Sequence, residues 1–412
     1  MKNLVASYIK TPLILRIVIG LIIGVCLGLW LPQAEFVAVF GDIFVGALKA
    51  IAPILVFILV ISSLASAGQN IGSRFKTVIA LYLISTFLAA TLAVIMSFAL
   101  PTTIPLTDAV EQTAPAGLGE VFGTLLSNMV KNPIESLTTA NYIGILTWAI
   151  VFGLALRMLA SDKTKDVLAD LAAAVSKAVA WVIQLAPFGI MGLVFASVNQ
   201  YGLEIFTDYG KLLLVLVGTM LIAAFILNPI IIAITLRRNP FPLVLHCLKE
   251  SGVTAFFTRS SAANIPVNMA LCERLGLDKK YYSVSIPLGA TINMNGAAVT
   301  ITVMSLAAAF SQGVEVNIFL AIVLSFVATL GACGASGVAG GSLLLIPMAC
   351  SLLGIGQDIA MQVVGVGFII GVVQDSLETA LNSSGDVIFT TTAEYKERQK
   401  NGETIEHLVP KN

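Results

Sequence analysis

Charge is what this chain has least of. Only 11% of its 412 residues are Asp, Glu, Lys or Arg, against 57% hydrophobic. A soluble globular domain carries about a quarter charged residues, so the composition excludes that class and points to a polytopic membrane protein. The 23 cations and 23 anions cancel, and no basic patch is large enough to hold nucleic acid. There are two histidines, His246 and His407, both far from any acid or thiol pattern, which removes support for a hydrolase or a metal enzyme. Five cysteines (Cys26, Cys247, Cys272, Cys333, Cys350) are scattered in or beside apolar segments without ligand spacing. They read as small hydrophobes and not as disulfide or zinc partners. No small-residue cleavage site follows Trp30, so the first apolar run reads as an uncleaved span and not as a signal peptide.

What the chain has in abundance is apolar runs of the length that crosses a bilayer. Spans are expected at Leu13–Leu31, Ile43–Ser66 (interrupted by Lys49 and Pro53), Val78–Leu100, Tyr142–Leu159, Ala178–Val198 (kinked at Pro187) and Leu212–Ile234. Pro101 to Thr139 reads as an external loop, and the stretch with Lys163, Lys165 and Lys177 as a mixed-charge linker. Lys49 is expected to snorkel to a lipid headgroup. With the N-terminus cytoplasmic, Arg74, Lys76, Arg157, Lys163, Lys165, Arg237, Arg238, Lys279, Lys280, Lys396, Arg398 and Lys400 all fall inside, leaving Lys131 and Lys211 outside. That is the positive-inside solution, with both termini in the cytoplasm.

After Arg238 the pattern changes. Leu243 to Leu271 is cut by Thr258-Arg-Ser-Ser-Ala-Ala-Asn-Ile-Pro266 into halves too short to span, with basic flanks on both sides. It reads as a re-entrant hairpin. Tyr281 to Ala309 is a span broken at Gly289 and at Asn293-Met-Asn-Gly296. Val316 to Leu353 is split by Gly331-Ala-Cys-Gly-Ala-Ser-Gly-Val-Ala-Gly-Gly-Ser342 and reads as a second hairpin from the opposite side; the alternative is that each is a Gly-rich full span. A last span, Ile359 to Phe389, carries Asp375, Glu378, Thr379, Asn382 and Asp386 along one helical face. Hairpin and broken span thus occur twice, an inverted repeat of the kind secondary transporters use. Ionisable groups at membrane depth mark a functional site. Carbonyls freed at Asn293–Gly296, joined by Asp386 if the last helix unwinds near Asn382-Ser-Ser-Gly385, suit a small hard cation. The N–H groups at Ser260-Ser261 and Gly337–Gly340 suit a carboxylate, and Asp375 an ammonium. The residues therefore describe a site for a zwitterion and a cation together.

Arg259-Ser-Ser-Ala-Ala-Asn-Ile-Pro266, Pro287-Leu-Gly-Ala-Thr-Ile-Asn-Met-Asn-Gly296, Gly337-Val-Ala-Gly-Gly341 and Asp375…Thr379…Asn382…Asp386 resemble the dicarboxylate/amino acid:cation symporter family over most of the chain. The resemblance implies a glutamate-transporter-like all-α fold of about eight transmembrane helices and two re-entrant hairpins. Residues 1–235 hold six spans, 236–395 the transport core and 396–412 a cytoplasmic tail. It implies a homotrimer in the bacterial inner membrane, in contact with lipid, with no cofactor beyond coupling sodium ions and no enzymatic activity. Ser260, Ser261 and the tip near Val338 would take the substrate carboxylate, with Asn382; Asp375 and Thr379 would take the amino group. One sodium would use Gly289, Asn293, Asn382 and Asp386, a second Thr291, Met294, Ala332, Cys333 and Ala335. The second hairpin would act as the outer gate.

Two departures from the family pattern sharpen this. Acidic amino acid carriers have an arginine where this chain has Glu378, so aspartate and glutamate are disfavoured and L-serine or L-threonine fits better; the alternative is that Glu378 pairs locally, with Arg259 or another group. Asn295 and Ala297 replace an aspartate and a threonine. A further sodium site built with Tyr82, Ser85 and Thr86 is therefore expected to be weakened or lost. The rival readings are a proton-coupled carrier of another small solute, an ion channel and, least supported, an intramembrane enzyme using Ser260 or Ser261.

Overall fold

A computed structural model describes residues 11–66, 73–106, 123, 126–335, 340–403, 405, 408 and 409. Among these residues no strand occurs. Helices are α1 (Leu13–Trp30), α2 (Ala38–Ser66), α3 (Ser73–Ala99), α4 (Tyr142–Leu159), α5 (Asp162–Ile183) and α6 (Ala186–Tyr201). Then come α7 (Ile205–Ile222, continuing to Asn228–Leu236), α8 (Phe241–Cys247, continuing to Val253–Thr258) and α9 (Ser261–Arg274). The last are α10 (Lys279–Ile292), α11 (Asn295–Ser311), α12 (Ile318–Ala332), α13 (Ile346–Leu352) and α14 (Gln357–Lys400). Six helical segments are long and apolar enough to cross a membrane, with shorter apolar helices at Leu15–Trp30, Ile318–Ala332 and Ser342–Leu352.

Several expected boundaries move, for local physical reasons. The charged stretch with Lys163, Lys165 and Lys177 is not a linker but the helix α5, capped by Ser161, whose hydroxyl accepts from the Thr164 N–H at 3.4 Å. The break falls at Gln184–Leu185 and not at Pro187, which sits in the first turn of α6 where its missing N–H costs nothing. The expected fifth and sixth spans form one apolar segment, Ala186–Leu236, turned at Gly202 (φ 69°). Pro53 lies inside an unbroken α2. Lys49, expected to snorkel to a headgroup, has its Nζ 2.6 Å from Asp358 at the start of α14. The acids Asp108, Glu111 and Glu120 of the expected outer loop lie outside the described residues.

Of the three expected breaks in full spans, one is present. Gly289 lies inside the continuous helix α10 and does not break it. α10 ends at Ile292, Asn293 and Met294 leave helical geometry, and α11 starts at Asn295. By contrast α14 runs unbroken for 44 residues through Asn382–Gly385 to Lys400, so it does not unwind at Asp386 and takes in the first part of the expected tail. Its polar residues from Gln374 to Glu394 are buried along with most of its apolar ones; tertiary packing holds this stretch helical where isolated propensity would not.

The helices sort into two packed groups. α1, α2, α4, α5 and α6 pack chiefly on one another, while α3 and α7 to α14 surround α11 and α14. α1 meets α6 through a seam of glycines: a Cβ at Gly20 would lie 2.1 Å from the Pro187 carbonyl oxygen, and one at Gly24 2.5 Å from that of Met191. In lipid, where apolar burial gives little net drive between helices, such close backbone approach supplies the packing energy. Two π-helical turns, Ala223–Leu227 in α7 and Leu248–Gly252 in α8, each rotate a polar residue inward, Asn228 and Ser251. In α7 the cause is Pro229, which lacks an N–H and crowds the carbonyl four residues back.

Candidate functional site

The site lies where the α8/α9 tip, the α10/α11 break, the α12/α13 region and the middle of α14 meet. α8 ends on Arg259, held in the left-handed region (φ 51°), and the chain reverses at Ser260. The Ser260 hydroxyl accepts from the Ala263 N–H at 3.2 Å, capping α9. Ser261 is buried. Below the tip, Asn264 and Asn268 of α9 bond to Ser251 and to Ser383 of α14, with Asn264 Nδ2 donating to Ser383 Oγ at 2.8 Å and Asn268 Nδ2 to the Ser383 carbonyl at 3.1 Å. This neutral polar lock fixes α9 to α14.

Asp375 is expected to receive an ammonium. Here its Oδ2 accepts from Arg259 Nε at 2.6 Å and its Oδ1 from the Gly340 N–H at 3.2 Å. The pair is nearly dry, with side-chain exposures of 10% and 3%, which is the arrangement a buried charge requires. Gly340 has φ +73°, a conformation that L side chains rarely adopt, and a Cβ there would lie 2.9 Å from the Phe368 ring. Glu378 does not pair with Arg259. Its Oε2 accepts from Thr300 Oγ1 at 2.7 Å, Ser342 Oγ at 2.8 Å and Gln374 Nε2 at 2.5 Å. Thr379 donates to the Asp375 carbonyl at 2.7 Å within α14, and Asn382 Oδ1 accepts from the Gly296 N–H at 2.7 Å at the start of α11. Val338 lies outside the described residues.

The Asp386 carboxylate is fully buried beside the break. Asn293 Nδ2 donates to Asp386 Oδ1 and to the Asn382 carbonyl, both at 3.0 Å. A Cβ on Gly289 would sit 2.8 Å from that same Oδ1, so only glycine fits. Asp386 Oδ2 and Asn293 Oδ1 are buried with no hydrogen-bond donor. Two orphaned oxygens, one of them anionic, next to an interrupted helix make a donor set for a hard cation. The second expected set is less open: Ala335 N–H donates to the Ala332 carbonyl at 2.9 Å and the Ala298 N–H to the Met294 carbonyl at 2.9 Å. Cys333 Sγ is 3.8 Å from the Ile292 carbonyl, which brings this tip against the break, and Thr291 Oγ1 bonds back to Leu288 at 2.7 Å.

The further cluster splits in two. Ser85 and Thr86 donate to Asn295 Oδ1 at 3.2 and 2.8 Å, and Asn295 Nδ2 donates to Asn228 Oδ1 at 3.4 Å. Tyr82 turns instead to Thr390 Oγ1 (2.9 Å) and to the Ser285 and Asp386 carbonyls, both at 3.2 Å. Sequence reasoning missed Thr300, Ser342, Gln374 and Asn228. Gln374 was the most legible, one helical turn before Glu378 on its own face; Asn228 is brought inward by the π turn. Among the described residues no group of three or more His, Cys, Asp and Glu could hold a metal ion, so the cation chemistry rests on single carboxylates with neutral oxygens.

Residues 13–395 match the sodium:dicarboxylate symporter family. A serine/threonine transporter SstT of Bifidobacterium adolescentis is 60% identical over 399 residues, covering 97% of this chain and 93% of that protein. Those of Streptococcus thermophilus and Streptococcus agalactiae are each 56% identical over 396 residues, covering 96% of this chain and 98% of theirs. With its broken α10/α11 helix and its buried acids on α14, the chain belongs to the sodium:dicarboxylate symporter family, a family of membrane transporters and not of enzymes.

Proposed function

We propose that the protein imports L-serine and L-threonine together with sodium across the bacterial cytoplasmic membrane. The observation that carries the coupling is the Asp386–Asn293 pair, whose buried oxygens Oδ2 and Oδ1 have no donor. A sodium ion there satisfies both and neutralises the carboxylate. The names of the relatives support the substrate, and the absence of an arginine at Glu378 argues against a dicarboxylate.

Charge counting supports two sodium ions. Counted in their ionised forms, Asp375, Glu378 and Asp386 against Arg259 leave the buried site with two negative charges in excess. A zwitterion adds nothing, so two sodium ions close the balance, and a charge left uncompensated at membrane depth is costly. A third ion has no anionic ligand at Asn295, whose neutral oxygen lies within hydrogen-bond distance of the Ser85 and Thr86 hydroxyls.

In this reading α1, α2, α4, α5 and α6 form the scaffold of a homotrimer, and α3 with α7 to α14 forms the moving unit. The pairs α8/α9 and α12/α13 are re-entrant, and α12/α13 is the outer gate. A cavity of about 550 Å³ lies between scaffold residues such as Leu13, Leu59 and Lys177 and the tip residues Thr258 to Ser260. With the N-terminus cytoplasmic it opens inward, so this conformation is the releasing one. Counterflow in proteoliposomes with serine, threonine, alanine and aspartate, with and without sodium, tests the proposal. Serine exchange that requires sodium, at two ions per serine, is expected. Strong aspartate exchange, or serine exchange that follows protons without sodium, overturns it.

A further inference from the structure

A cavity of about 280 Å³ lies between α7, α8 and α14. Its floor is Leu377, Ala380 and Leu381 of α14, which helical spacing places opposite the face of Asp375, Glu378 and Asp386. Every lining residue is Gly, Ala, Val, Leu, Met or Phe. An enclosed water needs two to four polar partners, and this lining has none to give, so the cavity suits hydrocarbon and not water. Leu221, Phe225, Val253 and Phe257 line it and are exposed. The mouth therefore faces outward, and around a membrane transporter the apolar medium is the bilayer.

Both π-helical turns border the gap, Ala224 and Phe225 from one and Leu248 and Gly252 from the other. A π turn adds a residue to one turn of helix and upsets the row spacing by which helices interdigitate. The chain thus leaves the space unfilled. Gly252 is not required for a close helix crossing: a Cβ there would meet Leu248 Cδ2 at 3.5 Å and the Ala380 carbonyl oxygen at 3.6 Å, both ordinary contacts. Gly20 and Gly24 of α1 are the opposite case. At Gly252 the missing side chain enlarges the cavity.

Charge and depth identify the occupant. The turn from α7 to α8 carries Arg237 and Arg238, both exposed, and among the described residues neither has an ion-pair partner. At 1.5 Å per residue, the lining of both helices begins about 10 Å from that turn and ends about 25 Å from it. A phospholipid with its phosphate at the arginines carries its acyl chain through that range, since the bilayer midplane lies roughly 20 Å below the headgroups.

We infer that the cavity holds one acyl chain of an anionic phospholipid whose phosphate rests on Arg237 and Arg238. In the orientation proposed above, the lipid belongs to the cytoplasmic leaflet. Its chain fills the space between α8 and the stretch of α14 that carries Glu378, Thr379 and Asn382, so it becomes part of the packing behind the site. The inference does not depend on which solute is carried.

The test places the full chain in phosphatidylcholine vesicles with a small fraction of a photoactivatable lipid, bearing a diazirine in its acyl chain, and maps adducts by peptide mass spectrometry. Phosphatidylglycerol and phosphatidylcholine probes with the same chain are compared. Adducts are expected at residues 248–257 and 377–381, at least about tenfold more from the phosphatidylglycerol probe, the scale of two surface arginines. Lipid-facing residues outside the cavity should react equally with both probes. Gly252→Leu fills the cavity from α8 and Ala224→Phe from α7; each should lower cavity labelling at least about fivefold and leave labelling elsewhere unchanged. Replacing both arginines, Arg237→Gln with Arg238→Gln, should abolish the preference for phosphatidylglycerol. Adducts that follow exposure alone, with no excess at the cavity, overturn the inference, as do equal yields from the two probes. No label at the cavity also overturns it and assigns this face to a neighbouring copy of the chain.

Discussion

At the scale of single residues, the chemistry depends on which buried oxygens are satisfied. Asp386 is completely buried with one oxygen bound by Asn293 and the other free. Asp386→Asn removes the charge and keeps the shape. Stabilisation by sodium should then shrink by about 2.7 kcal/mol at a hundredfold excess of ion over the Kd of this site. Thermal unfolding in sodium chloride against choline chloride reads this directly, and equal sodium stabilisation of both forms contradicts the assignment. Glu378→Arg places a cation among three donors, Thr300, Ser342 and Gln374. Serine uptake should fall at least about tenfold, the worth of one charge-assisted hydrogen bond, and aspartate should become a better competitor. Unchanged serine uptake makes Glu378 a bystander.

Among the elements, α10 depends most visibly on its ends. It is capped by Asp278, whose side chain accepts from the Lys280 N–H at 3.0 Å and from Arg74 Nη1 of α3 at 3.0 Å. Glu394 of α14 accepts from the Asp278 N–H and pairs with Arg398, tying three elements at one end of the bundle. The Lys280 N–H, with Arg74 beside it, lowers the Asp278 pKa against a smaller opposing effect of desolvation. A lowered carboxylate pKa gives stability that is present above the unfolded value, about 3.9, and is lost as pH falls through the folded one. Asp278→Ala should cost about 1 kcal/mol at neutral pH, the usual value of an N-cap. The difference from the unaltered protein should vanish below the folded pKa. Paired melting curves at neutral and acid pH check both halves.

For the whole molecule, the question is what two packed groups of helices do relative to each other. Lys49 of α2 and Asp358 of α14 belong to different groups and lie 2.6 Å apart, both reached by solvent. If one group slides past the other, this ion pair breaks, so it favours the conformation described. Lys49→Met should speed serine exchange by up to about fivefold, the upper limit for an exposed ion pair. The acceleration should shrink at high salt, where the unaltered pair is already screened. A rate insensitive to both the substitution and the salt removes the contact from the transport cycle.

Much was legible beforehand because it depends on local chemistry. Low charge and long apolar runs determine the membrane class, Asn293–Gly296 determines the broken helix, and the acids on α14 share one face because helical spacing demands it. Other features are invisible in the string. The expected unwinding at Asn382–Gly385 does not occur, since packing around α14 outweighs its glycine and serines. Arg259 meets Asp375 across 116 positions of sequence. Thr300 and Ser342 reach Glu378 from separate elements, and the Pro229 π turn turns Asn228 toward Asn295. The sequence by itself determined which residues can carry charge and cations through a membrane. Only the tertiary structure decided which oxygens are already spent on neighbours and which remain free, because satisfaction of a buried polar atom belongs to its surroundings and not to its position in the chain.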